Sequence, residues 1–411
     1  MQVYLVGGAV RDALLGLPVR ERDWVVVGGS RDELLHLKYR EVGRDFPVFL
    51  HPVTHEEYAL ARLERKVAPG YRGFAVEFGP QVTLEEDLAR RDLTINAIAQ
   101  SADGRLLDPY AGRADLEARV LRHVSPAFSE DPVRVLRLAR FAARFAPLGF
   151  TVAPDTLALM RAMVERGELG SLVAERVWQE TEKALREPRA SEFFRALRSC
   201  GALQPIYPEI DALFGVPQPA RWHPEIDTGM HTLMVLDQAA LLSTDTKLRF
   251  AALVHDLGKG TTPPTEWPSH PGHEERSVSI IEALCARLRL PSGYRELAVI
   301  VARYHGIVHR AFELKAHTIV DFLERTDAFR RPERFAQALL ACEADSRGRK
   351  GLENVPYPQR EYLRAAYDAA AEIKPTPEDI ASHDGARIAQ QLHQRRVRAV
   401  SDLSQGMPQV L

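Results

Sequence analysis

Apolar and polar positions alternate in short blocks over the first hundred residues and then settle into a period of about 3.6. Val3–Val6 is an apolar run closed by Gly7 and Gly8, and Ala9–Leu15 follows at helical spacing. Trp24–Val27 is a second strand-like run, closed by Gly28 and Gly29. Ser30 is placed to cap a helix through Leu35, and Pro47–Leu50 and Tyr58–Ala61 predict further strands. Thr83 with Glu86 has the spacing of a capping box opening a helix towards Arg91. After about Ser129 the strand signals stop. Ser129–Phe145, Pro154–Glu165, Ala174–Arg186 and Glu192–Cys200 carry helical periodicity, many with acidic starts and basic ends. Five prolines between Pro205 and Pro224 predict a linker or bent connection. Helical patterns resume near Thr228, pass a Pro-rich loop at Pro263–Pro271 and reach about Arg325. Phe335–Ala344 and Arg360–Ile373 follow, then a polar, basic tail with Arg395, Arg396 and Arg398. The expected class is α+β: a small N-terminal α/β head followed by a long all-α remainder.

Composition narrows this picture. At roughly 150 residues per domain, 411 residues predict two or three domains. A hydrophobic share of 45% and a charged share of 27% match a globular chain and exclude a disordered or fibrous one. No run approaches the length of a membrane span, and the N-terminus has no basic region before Arg11-Asp12. Cys200, Cys285 and Cys342 are too few and too far apart for a disulfide framework or a CxxC metal site. These points predict a cytoplasmic protein without a membrane partner. A net charge of −2 neither favours nor excludes nucleic acid, because binding depends on where charge sits. Positive charge comes mostly from 46 Arg against 8 Lys.

Candidate chemistry begins at Gly7-Gly8, a strand-to-helix junction where backbone can approach a phosphate, with Arg11 one turn inside the helix. Glu21 and Asp23, at the mouth of a strand, are expected on one face. Two such carboxylates can share Mg²⁺ ions with a triphosphate. Arg90-Arg91-Asp92-Leu93-Thr94-Ile95-Asn96-Ala97 predicts a polar cluster facing a site. In Glu130-Asp131-Pro132-Val133-Arg134, Asp131 and Arg134 are expected one turn apart on a helix, with Arg137 and Arg140 continuing the series. Each motif alone also has a structural reading: a tight turn, a solvated strand end, a helix end, an arginine stripe on an amphipathic helix.

Taken in order, these four motifs resemble those of class II tRNA nucleotidyltransferases and bacterial poly(A) polymerases, with Glu21 where that family usually has Asp. The resemblance implies Gly8 and Arg11 at the incoming nucleotide and Glu21 and Asp23 on Mg²⁺. It places Arg91, Asp131, Arg134, Arg137 and Arg140 around base and phosphates. The Asp131–Arg134 pair has a chemical logic of its own. Cytosine and adenine each present an amine donor beside a ring-nitrogen acceptor, whereas guanine and uracil present a carbonyl beside an N–H. A carboxylate beside a guanidinium complements the first pattern and opposes the second.

The helical half contains His231, the adjacent His255-Asp256, then His270, His273, His305 and His309, and finally Asp345. Imidazole and carboxylate together suit a divalent transition metal. The order His231, His255-Asp256, Asp345 resembles the HD superfamily of metal-dependent phosphohydrolases, which implies those four as ligands, with His255 and Asp256 at the catalytic centre. Ni²⁺ or another divalent transition metal is the implied ion. His273 and His305 are further candidates for a second ion or leaving-group protonation, and Lys259 for substrate phosphate.

The combined resemblance is to CCA-adding tRNA nucleotidyltransferases that carry an HD domain. It implies a nucleotidyltransferase head at 1–140, a helical neck at 141–225, an HD domain at 226–330 and a helical tail at 331–411. The implied activities are CCA addition to tRNA from CTP and ATP, and hydrolysis of 2′,3′-cyclic phosphates and 2′-phosphates, by a monomer or homodimer. Two alternatives stay open: a poly(A) polymerase with the same head, and a non-catalytic tRNA-binding protein that kept the fold.

Overall fold

The runs Val3–Val6 and Trp24–Val27 form the antiparallel strands β1 (Gln2–Val6) and β2 (Asp23–Val27). The computed structural model describes residues 1–42, 48–66, 74–377, 379 and 384–406, so Pro47 of the expected strand Pro47–Leu50 lies outside the described residues. Further strands are β3 (Arg40–Glu41), β4 (Val48–Leu50), β5 (Glu57–Leu60), β6 (Arg62–Lys66), β7 (Phe74–Phe78), β8 (Ala99–Ser101) and β9 (Leu106–Leu107). Among the described residues, seven of them form one mixed sheet in the order β3-β4-β5-β2-β1-β8-β9, and β6 and β7 form a separate antiparallel pair. Alternation along β2 builds both faces. Val25 joins Val6, Leu84, Leu88, Ala97 and Ala99 on one side, and Val26 joins Leu34, Phe49, Tyr58 and Leu60 on the other. The register pairs Val6 with Asp23, which sets the start of β2 beside the Gly7 turn. The expected Thr83–Glu86 capping box forms, and Ser30 caps its helix as expected, with Glu33 completing a second box.

Strands do not stop at Ser129. β10 (Val120–Leu121) pairs in parallel with β11 (Thr151–Val152), which is too short to show an alternating pattern. The helix expected from Ser129 starts at Val133, because Pro126–Glu130 forms a 3₁₀ turn and Pro132 sits at the cap. That helix, Val133–Phe145, is not a surface helix with a solvated arginine stripe: Val133, Leu136, Phe141, Phe145 and Arg134 are all buried. Helices Pro154–Glu165, Ala174–Arg186 and Ser191–Ser199 follow as the periodicity predicts.

The chain divides into two compact units, Met1–Ile206 and Tyr207–Leu411. The boundary between the two units falls within Pro205–Pro224, and this connection is bent and folded, not an extended linker. Pro208 opens a short helix, Pro208–Asp211, and Ile210, Leu213 and Val216 are buried. In the second unit, helices Thr228–Leu242, Thr246–Val254, His273–Arg287, Ser292–His309 and Pro332–Arg347 pack against one another. The basic tail is the helix Gly385–Gly406, lying on Ala316–Arg325 and Pro358–Ala371, with Arg396 stacked 3.8 Å from the Phe329 ring centre. All three cysteines are buried and free. Among the described residues no helix is long and apolar enough to cross a membrane.

Candidate active sites

In the first unit, Gly7 has φ +69°, a left-handed conformation, and a Cβ there would sit 2.9 Å from Arg91 Nη1. Glycine is therefore required at this position. Gly8 begins the first helix, Gly8–Leu14, which carries Arg11 into the interior. The Arg11 guanidinium donates to Asp12 at 2.8 Å and to the Asn96 side chain, and lies about 5 Å from the Phe141 and Phe145 rings. Asp92 accepts from Arg137 at 2.7 Å and from Asn96 at 2.9 Å. Burial works against charge on Asp92, and Arg137 and Asn96 overcome it, holding the carboxyl well below its ordinary range. Arg140 donates to Glu180 at 2.6 Å and covers the Phe141 ring at 4.6 Å. Arg91 pairs with Asp87 at 3.3 Å.

Glu21 and Asp23 are not on one strand face, because β2 begins at Asp23 and Glu21 precedes it in an irregular segment. They still interact. Burial raises the Asp23 carboxyl, Arg91 opposes the rise, and repulsion from Glu21 adds to it. Two carboxylates that repel each other beside a phosphate-compatible turn are suited to a divalent cation.

Asp131 is not on the helix with Arg134. It lies before the first turn, in extended backbone, and its carboxylate accepts the Val133 N–H at 3.0 Å. Arg176, from the helix Ala174–Arg186, donates to both Asp131 oxygens, at 2.9 and 3.3 Å. Arg134 donates to the carbonyls of Ala127 at 2.8 Å and Arg90 at 2.6 Å. The pair is thus held by other parts of the unit.

In the second unit, His231 opens the helix Thr228–Leu242, His255-Asp256 ends the helix Thr246–Val254, and Asp345 lies near the end of Pro332–Arg347. These elements bring the four residues together. Asp345 Oδ1 is 3.0 Å from His231 Nε2, and Asp345 Oδ2 is 3.6 Å from His255 Nε2. His255 Nε2 is also 3.1 Å from Asp256. His273 and His305 join from the other side, 3.2 and 3.6 Å from Asp256 Oδ1. Ligand-capable atoms of His231, His255 and Asp256 lie within 4.8 Å of one another, as do those of Asp256, His273 and His305.

The imidazoles are oriented by backbone. The Nδ1 atoms of His255, His273 and His305 donate to the carbonyls of Ala252, His270 and Ala302, at 2.8, 3.0 and 2.9 Å. This leaves each Nε2 facing the carboxylates. Burial opposes charge on His255, but Asp256 and Asp345 outweigh it and push its pKa up to about 10. His255 Nε2 and Asp256 Oδ1 are buried with ionic neighbours but no well-aligned hydrogen bond, an arrangement open to a ligand such as a metal ion. Lys259 Nζ is 2.6 Å from both Asp256 and the Gln218 side chain. His270 stands apart, its Nε2 against the Pro217 carbonyl at 2.8 Å.

Sequence reasoning missed several partners. Arg176, Glu180 and Arg144 complete the arginine–carboxylate network of the first unit. In the second, Glu225 and His223 lie behind His231, and Tyr357 donates to His309, which in turn contacts Asp345 at 2.6 Å. Only His309 carried a signal, as one of the series of histidines.

Three family models match the chain: the Poly A polymerase head domain over residues 3–122, the probable RNA and SrmB-binding site of polymerase A over 149–214, and the HD domain over 228–347. The last includes Asp345. The Multifunctional CCA protein of Thioalkalivibrio sulfidiphilus is 65% identical over 98% of both chains. That of Nitrosococcus oceani is 64% identical over 97% of this chain and 98% of its own. Among solved structures, the Bacillus stearothermophilus CCA-adding enzyme in complex with CTP aligns with TM-score 0.65 and 23% identity, covering 98% of this chain and 89% of that one. A CCA-adding enzyme complex with ATP aligns with TM-score 0.67 and 20% identity, over 97% of this chain and 86% of its own; both likenesses speak to fold alone.

Proposed function

The chain belongs to the family of multifunctional CCA proteins, and from that premise we propose that it adds the 3′-terminal CCA of tRNA in its first unit and hydrolyses phosphate esters in its second. The observation that carries the dual reading is the meeting of His231, His255, Asp256 and Asp345, with His231 and Asp345 114 residues apart, in a chain whose first unit holds a complete set of nucleotide motifs. We assign head and neck to the first unit, and HD domain and tail to the second, with the ligand set extending to Asp345 beyond the expected boundary at 330.

In the first unit, Gly8 and Arg11 with Arg91 receive the triphosphate, and Arg137 and Arg140 line the base and phosphates. Asp131 and Arg134 read the Watson–Crick edge, accepting cytosine and adenine without a template strand. The tRNA 3′-hydroxyl attacks the α-phosphorus and pyrophosphate leaves. Mg²⁺ held by Glu21 and Asp23 would supply neutralisation of the phosphates and a more acidic hydroxyl. For the second unit the substrates are 2′,3′-cyclic phosphates and 2′-phosphates. Its donor set, mixed nitrogen and oxygen, fits Ni²⁺ or another divalent transition metal, which would supply Lewis acidity at the phosphate. Lys259 is placed to meet a phosphate oxygen. His273 and His305 are placed to carry a proton to the leaving group. A tRNA substrate and free cysteines suit the cytoplasm.

The test is both activities on two variants. Asp23→Ala abolishes C and A addition and spares hydrolysis; Asp256→Ala does the reverse. Loss of nucleotide addition in a folded Asp256→Ala protein would mean that the histidines serve the polymerising centre and that the two-site reading is wrong.

A further inference from the structure

We propose that Glu225 is the positioning residue of the hydrolase site, fixing His231 so that its Nε2 faces the metal; this rests on the metal reading given above. Glu225 Oε1 lies 3.0 Å from His231 Nδ1 and 3.2 Å from His223 Nδ1, and its side chain is 4% exposed. Its other oxygen accepts the Lys350 N–H at 3.2 Å. A carboxylate this deeply buried is costly unless it is hydrogen-bonded, and here two imidazoles and a backbone amide surround it. On the opposite side of the His231 ring, Nε2 points to Asp345 at 3.0 Å. A neutral imidazole has one N–H. With that proton donated from Nδ1 to Glu225, Nε2 keeps its lone pair for the metal, and the Gly348 carbonyl, 3.2 Å from Nδ1, reinforces the same tautomer.

The backbone around Glu225 is shaped for this. Asp227 N–H donates to the Glu225 carbonyl at 2.7 Å across a three-residue turn with Ile226 at φ +60°. A β-branched residue rarely takes that left-handed conformation. Ile226 is 48% exposed, so burial of its side chain does not repay the strain. The turn is tied down on both sides, by Gln218 N–H to the Ile226 carbonyl at 2.7 Å and by Gly215 N–H to the Asp227 carboxylate at 2.6 Å. What the strained turn achieves is the inward direction of Glu225.

His223, Glu225 and His231 also form a ligand-capable group of their own. Serving as ligands there and at Asp345 would require His231 to give up both ring protons, so the positioning role is the one the chemistry favours.

The experiment is a Co²⁺ titration of the chelator-treated full chain, followed by visible absorption and calorimetry. It compares the wild type with Glu225→Ala, Glu225→Gln and Asp256→Ala. Loss of an outer partner of a metal-bound histidine typically weakens binding about 10- to 100-fold. Glu225→Ala is expected to show that loss with unchanged stoichiometry and a shifted Co²⁺ spectrum. Glu225→Gln, which keeps an acceptor oxygen, is expected to lose less. It carries the test if Glu225→Ala fails to fold, and tRNA extension serves as the folding control for both. Wild-type affinity in both Glu225 variants would overturn the proposal. So would loss of one Co²⁺ equivalent with the other untouched, since Glu225 would then be a ligand. If Asp256→Ala binds Co²⁺ as the wild type does, the metal reading itself has failed, and this inference with it.

Discussion

Asp131→Asn tests base selection most sharply. If Asp131 and Arg134 read the base edge as proposed, a uracil at the site sets its carbonyl against the Asp131 carboxylate and its N–H against the Arg134 guanidinium. Each unmatched contact costs about 1–3 kcal/mol, so this edge alone supplies about 2–6 kcal/mol, or roughly 30-fold to 10⁴-fold discrimination. The amide of the variant can turn its NH₂ towards the carbonyl and remove one of the two mismatches. UTP incorporation relative to CTP is then expected to rise about 5- to 150-fold, while CTP addition slows. The substitution does not unfold the unit. The Asp131–Arg176 pair, with side chains 21% and 26% exposed, contributes about 1 kcal/mol, and an asparagine can still accept the Val133 N–H. The assay is single-turnover incorporation of each of the four nucleotides onto tRNA lacking its 3′ end. An equal fall for all four, with selectivity intact, would refute the reasoning and assign Asp131 a structural role with Arg176.

Other consequences follow from the same geometry. The Arg140–Glu180 pair is buried, with side chains 12% and 8% exposed, so Glu180→Ala should cost about 3–5 kcal/mol in urea denaturation; a loss below about 1 kcal/mol, as for a surface pair, would contradict that burial. Asp92 is held below its ordinary range when folded, so its stabilisation is present above the unfolded value near pH 4 and fades as pH falls further. The stability gap between wild type and Asp92→Asn should therefore narrow in acid, and a gap constant with pH would count against the Arg137 pairing. Chelator treatment followed by return of Mg²⁺ alone should restore nucleotide addition but not ester hydrolysis; recovery of both would show that oxygen-preferring metal suffices in the second unit.

What the sequence made legible was local. Gly7-Gly8, the Ser30 cap, and Thr83 with Glu86 each act within a turn or two, and each is found where the sequence placed it. The partners that hold the arginines in place were not legible, because Arg176 meets Asp131 across 45 residues and Glu180 meets Arg140 across 40. Glu225 lies only six residues from His231, yet the link runs through a left-handed turn at Ile226 that no propensity predicts. The prolines from Pro205 marked the connection between the units but not the helix within it, because proline both interrupts helices and starts them, and Pro208 does the second. Asp345 has no local signal at all: its place beside His231 was available through the family resemblance, and the fold supplies the geometry.

The central claim is that this chain itself chooses three nucleotides and stops. The direct measurement is extension of a tRNA lacking CCA by the full-length protein with CTP and ATP together, resolved to single residues, with Asp23→Ala as control. Products three residues longer and ending in A are expected from the wild type, and none from the variant. An open-ended A tail, formed with ATP alone and without prior C addition, would contradict it.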